Sequence, residues 1–113
     1  MKIRLFTLIL LFFNSTQVFS GNSGTRTISR VEASDTFFTI YSSGTAFDNT
    51  EGCEDTTKVV FWAVDAPDGH KKMMSLAISA MMSGKQVSMW FNGCKMGPWN
   101  KTLPTPTTIN IYN

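Results

Sequence analysis

The chain has 113 residues, one histidine, two cysteines and a formal net charge of +2. Lys2 and Arg4 carry that whole surplus, so past the first twenty residues eight basic side chains face eight acidic ones. Such a balance excludes a nucleic-acid binder, whose affinity rests on a basic surface that releases counterions, and equally a protein recruited to membranes by a polybasic patch.

In chain order, the N-terminus reads as a signal peptide. Lys2 and Arg4 precede an apolar run from Leu5 to Phe13, and Val18 and Ser20 sit where a signal peptidase reads small residues. Cleavage is expected after Ser20, leaving one domain over 21–113. The apolar run is far short of the roughly 20 residues that span a bilayer, and no later segment is a candidate, so no membrane insertion is expected. Export leads to an oxidising compartment, secreted or periplasmic, where Cys53 and Cys94 are expected to pair. A single histidine beside two cysteines is a poor zinc set, so no metal and no cofactor are expected.

Residues 21–25 are small and polar and read as a loose N-terminus. A first strand is expected over Thr27–Ala33, and a stronger one over Thr36–Ser42, where β-branched and aromatic residues alternate. Residues 42–57 are rich in Ser, Gly, Thr, Asp and Asn and read as a long loop. Lys58–Asp65 is nearly continuous in apolar residues, the pattern of a buried central strand. Pro67, Asp68 and Gly69 then open a helix over His70–Ser83, with Asp68 as its cap and Gly84 as its left-handed terminator. Gln86–Phe91 resumes alternation, 92–106 reads as a loop, and Thr107–Tyr112 is the last strand.

A helix between the third and fourth of five strands is the order of an OB-type barrel. An open α+β sheet gives the same string, but closing the edges favours the barrel in so short a chain. The fold class is therefore mainly β (α+β), a five-stranded OB-fold barrel with one α-helix. On that helix Lys72, Ser75, Ser79 and Ser83 share one narrow face, and apolar residues fill the remaining arc of roughly 240°. Covering one sheet needs only a stripe of a little over 100°. The surplus is buried either by loops of the same chain or by a neighbouring subunit, the latter contacted through Met73, Met74, Ala77, Ile78, Met81 and Met82.

Catalytic constellations are missing. His70 has no nucleophile partner once the cysteines are paired, no G-x-S-x-G elbow occurs, and His70 reads as a solvated first-turn residue. Asp65 and Asp68 flank a proline turn as caps rather than as a glycosidase pair. Asn100-Lys101-Thr102 is a glycosylation sequon, meaningful in a eukaryotic secretory pathway. Aromatic residues are the positive signal: Trp90 and Tyr112 fall on strand faces opposite their apolar neighbours, Trp99 is in a loop, and Tyr41 shares this character. Exposed rings beside short polar side chains suit sugars, whose C–H face stacks on the ring while hydroxyls find hydrogen bonds.

Cys53, the strand KVVFWAVDA, the run KKMMSLAISAMMSGKQVSMWFNGC and the closing TTINIYN cover about half of the chain after the signal peptide. Together they resemble the B subunits of AB5 toxins, nearest to the subtilase-cytotoxin, pertussis-like and typhoid-toxin-like members. Ala80, Gly84, Lys85 and Val87 form the most characteristic piece. The resemblance implies a homo-oligomeric ring, a pentamer with helices around a central pore, that binds a host cell-surface glycan and accompanies a toxin A subunit. It also implies sugar contacts in the early strand and its loops, which here are Ser34, Asp35, Thr36 and Phe37; the aromatic reading adds Tyr41 and Trp90. The alternative is a secreted or periplasmic protein-interaction module, an inhibitor or assembly factor, on the same fold. A small secreted enzyme ranks behind both.

Overall fold

The computed structural model describes residues 20–48 and 51–113. The signal-peptide reading therefore lies outside the described residues, apart from Ser20. The elements are β1 (Ser20–Asn22), β2 (Arg26–Ala33), β3 (Phe37–Ser42), β4 (Lys58–Trp62), α1 (Pro67–Ser83), β5 (Gln86–Met96) and β6 (Thr102–Ile111). All neighbouring strands are antiparallel. The sheet runs β1-β5-β2-β3-β4, with β6 on the other edge of β5.

Two expectations are corrected here. The sheet has six strands rather than five, so the helix follows the fourth, and the sheet is not closed into a barrel. The additional strand is β1, drawn from residues with little β-propensity and read from sequence as a loose end. Tertiary pairing overrides that preference: Ser20–Asn22 pairs with Trp90–Asn92, and the next residue, Ser23, is fully buried. The Ser23 amide donates to the Met89 carbonyl and its hydroxyl accepts from the Met89 amide, both at 2.8 Å.

The sheet stays open because β4 and β6 form no ladder among the described residues. Prolines at 104 and 106 stand within β6, where the sequence pattern suggests a loop. An edge strand tolerates proline because a residue turned away from its one neighbour has no ladder donor to lose. The same property leaves that edge poor in donors for closing onto β4. β5 likewise continues past Phe91 to Met96, through a register shift at Phe91–Cys94 that Gly93 permits with φ +78°.

The inward faces of the strands follow the alternation. Ile28, Phe38, Ile40, Val59, Phe61, Val87, Met89 and Phe91 are buried together with Phe47 from the long loop. Phe38 lies against Phe61 at 5.4 Å between ring centroids, nearly parallel. Helix α1 closes this core with His70, Met73, Ala77 and Ala80, the i, i+3, i+7 spacing of one face. Ala77 and Ala80 are fully buried, and their small size lets the helix sit close on the sheet.

The helix begins three residues earlier than the apolar pattern suggests, at Pro67, whose fixed φ suits the first helical position. Asp68 is not its cap: the N-cap is Ala66, without a side-chain hydrogen bond, and Asp68 lies in the first turn, where a negative charge complements the helix dipole. Gly84 ends the helix as expected, with φ +69°. The Gly84 and Lys85 amides donate to the carbonyls of Met81 and Ala80.

The expected disulfide is present. Cys53 and Cys94 are joined with their Cα atoms 5.6 Å apart, 41 positions apart in sequence. The bond spans the open side of the sheet and suits an extracellular or periplasmic protein. Among the described residues no helix is long and apolar enough to cross a membrane.

Candidate functional site

The residues expected to contact sugar are divided by the structure. Ser34, Asp35 and Thr36 form the turn between β2 and β3, where the Ser34 hydroxyl accepts from the amides of Thr36 (3.2 Å) and Phe37 (3.3 Å). That hydroxyl is already used to shape the turn. Phe37 is half-buried, 5.3 Å from the Trp62 ring and 6.4 Å, edge-on, from Trp99. Tyr41 has the Arg30 guanidinium 4.4 Å above its ring and the Lys58 ammonium at 5.4 Å, and its hydroxyl donates to Glu32 at 3.1 Å. Lys58 also lies 5.0 Å from Trp99. The outer face of β2–β3–β4 is thus a row of rings already covered by cations or by each other.

Asp55 anchors this row through Lys58 at 3.0 Å. Partial burial acts to raise its pKa, but the Thr57 hydroxyl and amide, with Lys58, overcome that and hold it down at about 2. Trp90 stands elsewhere, on β5 opposite Asn22 and Thr108, with 45 % of its surface exposed.

A cleft of about 390 Å³ opens on the other side of β4, between the turn that follows it, the first turns of α1, and β5–β6. Its floor is apolar, from Phe61, Ala66, Met73 and Pro106. Asp65, at the end of the turn after β4, and Lys95, on β5, face each other at 3.9 Å, both about half exposed. Asn92 reaches the cleft from the register shift of β5, and Thr105 and Thr107 from β6.

Thr105 is 8 % exposed, yet among the described residues its hydroxyl has no partner, and neither has the Asn92 carboxamide. Asn92 is exposed, so polar side chains open to solvent stand over an apolar floor, the mixture typical of a ligand cleft. Thr107 also links the cleft to Trp90, donating to its carbonyl at 3.4 Å.

His70 is not the solvated residue expected from its position. It is 6 % exposed on the inner face of α1, with its ring 5.2 Å from Phe38 and 6.0 Å from Phe61. Its Nε2 has no hydrogen-bond partner among the described residues. The imidazole is part of the packing that backs the cleft and has no nucleophile in reach. Nor does any cluster of three potential metal ligands occur among the described residues.

No family model, curated protein or solved structure matches this chain. Its site is therefore read from its own chemistry. Of the cleft residues, Asp65 was legible only as a cap, Asn92, Lys95 and Thr105 were lost in an apparent loop, and Thr107 was legible only as the start of the last strand. The one available signal was the Pro–Thr alternation of 104–107, a period of two concealed by the prolines themselves.

The residues assigned to a subunit contact are also divided. Met73 and Ala77 are spent in the chain's own core, and Met74 and Met81 pack partly against it. Ile78 is half-buried outside that core, while Leu76 and Met82 are 43 % and 79 % exposed.

Proposed function

We propose that this chain is an exported, ring-forming, glycan-binding subunit of the AB5 type, with the cleft beside α1 holding one pyranose unit of a cell-surface glycan. The observation that carries the reading is the union of an apolar floor with unpartnered Thr105 and Asn92. A sugar's C–H face suits Phe61, Met73 and Pro106, and its hydroxyls suit Thr105, Asn92 and the carboxylate of Asp65. The volume falls within the roughly 300–1,000 Å³ of ligand sites in general. Asp65 and Lys95 cancel in charge, which favours a neutral sugar over an acidic one.

Ile78 and Met82, apolar, outside the core and on one side of the helix, supply the face through which neighbouring helices meet in the ring, with Leu76 beyond the serine stripe as a second contact. A toxin A subunit would be carried by that ring. The test is a glycan array with the purified protein, alongside native mass measurement. Binding to glycans with neutral termini by a ring-sized species is expected. A well-folded protein that binds no glycan ends the sugar reading, and a clean monomer at micromolar concentration ends the ring.

A protein-interaction module is the second reading, favoured by Val64, 83 % exposed in the turn beside the cleft. A large exposed aliphatic side chain at a cleft mouth suits a peptide better than a sugar. Silence on the array with retained binding of one protein partner would select it.

A further inference from the structure

We propose that Asn92 is a latent self-modification site that Glu51 keeps silent. Asn92–Gly93 is the only Asn-Gly step in the chain. Glycine after asparagine leaves the carboxamide carbon open to the following backbone nitrogen, because no side chain shields it. Here the Asn92 carboxamide lines the cleft without a hydrogen-bond partner, and Gly93 holds φ +78°. One contact stands against the reaction: the Gly93 amide donates to Glu51 Oε1 at 2.8 Å. The other carboxylate oxygen of Glu51 is buried with no partner among the described residues. A carboxylate kept half-satisfied is costly to stability, and holding that one amide is the only hydrogen bond of its side chain among the described residues.

The chemistry is a deamidation. The Gly93 nitrogen gives its proton to a solvent base and bonds to Asn92 Cγ. The bond from Cγ to the side-chain nitrogen breaks and ammonia leaves, closing a succinimide. Water then adds to either imide carbonyl and breaks one C–N bond, which yields aspartate or isoaspartate with no change of oxidation state. While Glu51 holds the Gly93 amide, that nitrogen is neither deprotonated nor free to turn towards Cγ. Once converted, position 92 would place a second carboxylate near Asp65 and remove a carboxamide donor from the cleft. That last consequence rests on the glycan reading, whereas the modification itself does not.

Incubation of the wild type, Glu51→Ala and Glu51→Gln in warm neutral buffer, followed by peptide mass mapping, tests the proposal. Glu51→Ala is expected to convert Asn92 at least roughly tenfold faster than the wild type, the scale of a lost hydrogen bond to a charged group. Glu51→Gln retains an acceptor oxygen and is expected to stay within a few-fold of the wild type. Asn22–Ser23, at the end of β1, serves as the internal control, since the Ser23 amide donates to the Met89 carbonyl at 2.8 Å and not to Glu51. Amide hydrogen exchange on the wild type, which needs no variant, should find Gly93 strongly protected. An unprotected Gly93, an unchanged rate in Glu51→Ala, or equal acceleration at Asn22 overturns the proposal.

Discussion

Thr105 is held between two fully buried prolines, and its hydroxyl has no hydrogen-bond partner among the described residues. Replacing it with valine keeps the shape and the β-branching while removing only the oxygen. An unpaired hydroxyl contributes no net hydrogen bond to folding, so Thr105→Val is expected to leave the denaturation midpoint within about 0.5 kcal/mol of the wild type. Glycan affinity, measured by calorimetry, should fall about tenfold. A destabilised variant with unaltered affinity would mean that the hydroxyl serves the fold. Asp55 presents the opposite case, a side chain whose partners lie wholly within the chain. Its folded pKa of about 2 lies below the ordinary 3.8, so the unfolded chain binds its proton first as pH falls. The stabilisation is therefore complete above pH 4 and is lost as the pH drops towards 2, with a magnitude of about 2 kcal/mol. Urea titrations should place Asp55→Asn below the wild type by that amount at neutral pH, with the gap closing in acid. Parallel curves down to pH 2 would contradict the assignment.

At the scale of elements, the helix spends only part of its apolar arc inside the chain. His70, Met73, Ala77 and Ala80 complete the core, while Leu76 and Met82 stand outside it and are exposed. Glutamate at both exposed positions, Leu76→Glu with Met82→Glu, should leave monomer stability within about 0.5 kcal/mol and convert the assembly to monomer in sedimentation. Intact rings would move the subunit contact to another face. The helix was legible in sequence because its periodicity, Pro67 and Gly84 all report local geometry. β3 and β4 were legible for the same reason, through the alternation around Phe38 and the apolar block at Val59–Phe61. Other features were set by distant partners. β1 forms from Ser, Gly and Asn only because β5 offers an edge, and Thr102–Pro106 extends only because β5 continues past its register shift. His70 looks polar and exposed in any local window, and its burial follows from where Phe38 and Phe61 place their rings. The cleft draws on Asp65 and Thr105, forty positions apart, so no local pattern contained it.

At the scale of the molecule, the open side of the sheet is bridged by side chains and single bonds instead of a ladder. The disulfide joins Cys53 to Cys94, the Asp55 amide donates to the Thr102 carbonyl at 3.1 Å, and Glu54 exchanges hydrogen bonds with Thr102. Trp62 adds a bond from its indole nitrogen to the Met96 carbonyl at 3.0 Å. This seam runs beside the cleft, since Asn92 and Lys95 flank the bridged cysteine. A cross-link over 41 positions is worth about 2–5 kcal/mol when acting through the entropy of the unfolded chain, and that contribution would lower the protection of all core amides alike. A seam sustained within the native state behaves differently, because its loss opens one region at a free energy below global unfolding. After reduction, or in Cys53→Ser with Cys94→Ser, hydrogen exchange should quicken first in Val59–Trp62 and in 94–104. Amides of Val87–Phe91, paired to β6 and in part to β1 and β2, should keep their protection relative to the global value. Uniform acceleration would assign the bridge to the unfolded chain alone. Selective opening would make the disulfide a support of the cleft as well as of the fold, and ligand affinity should then fall on reduction while β5 remains folded.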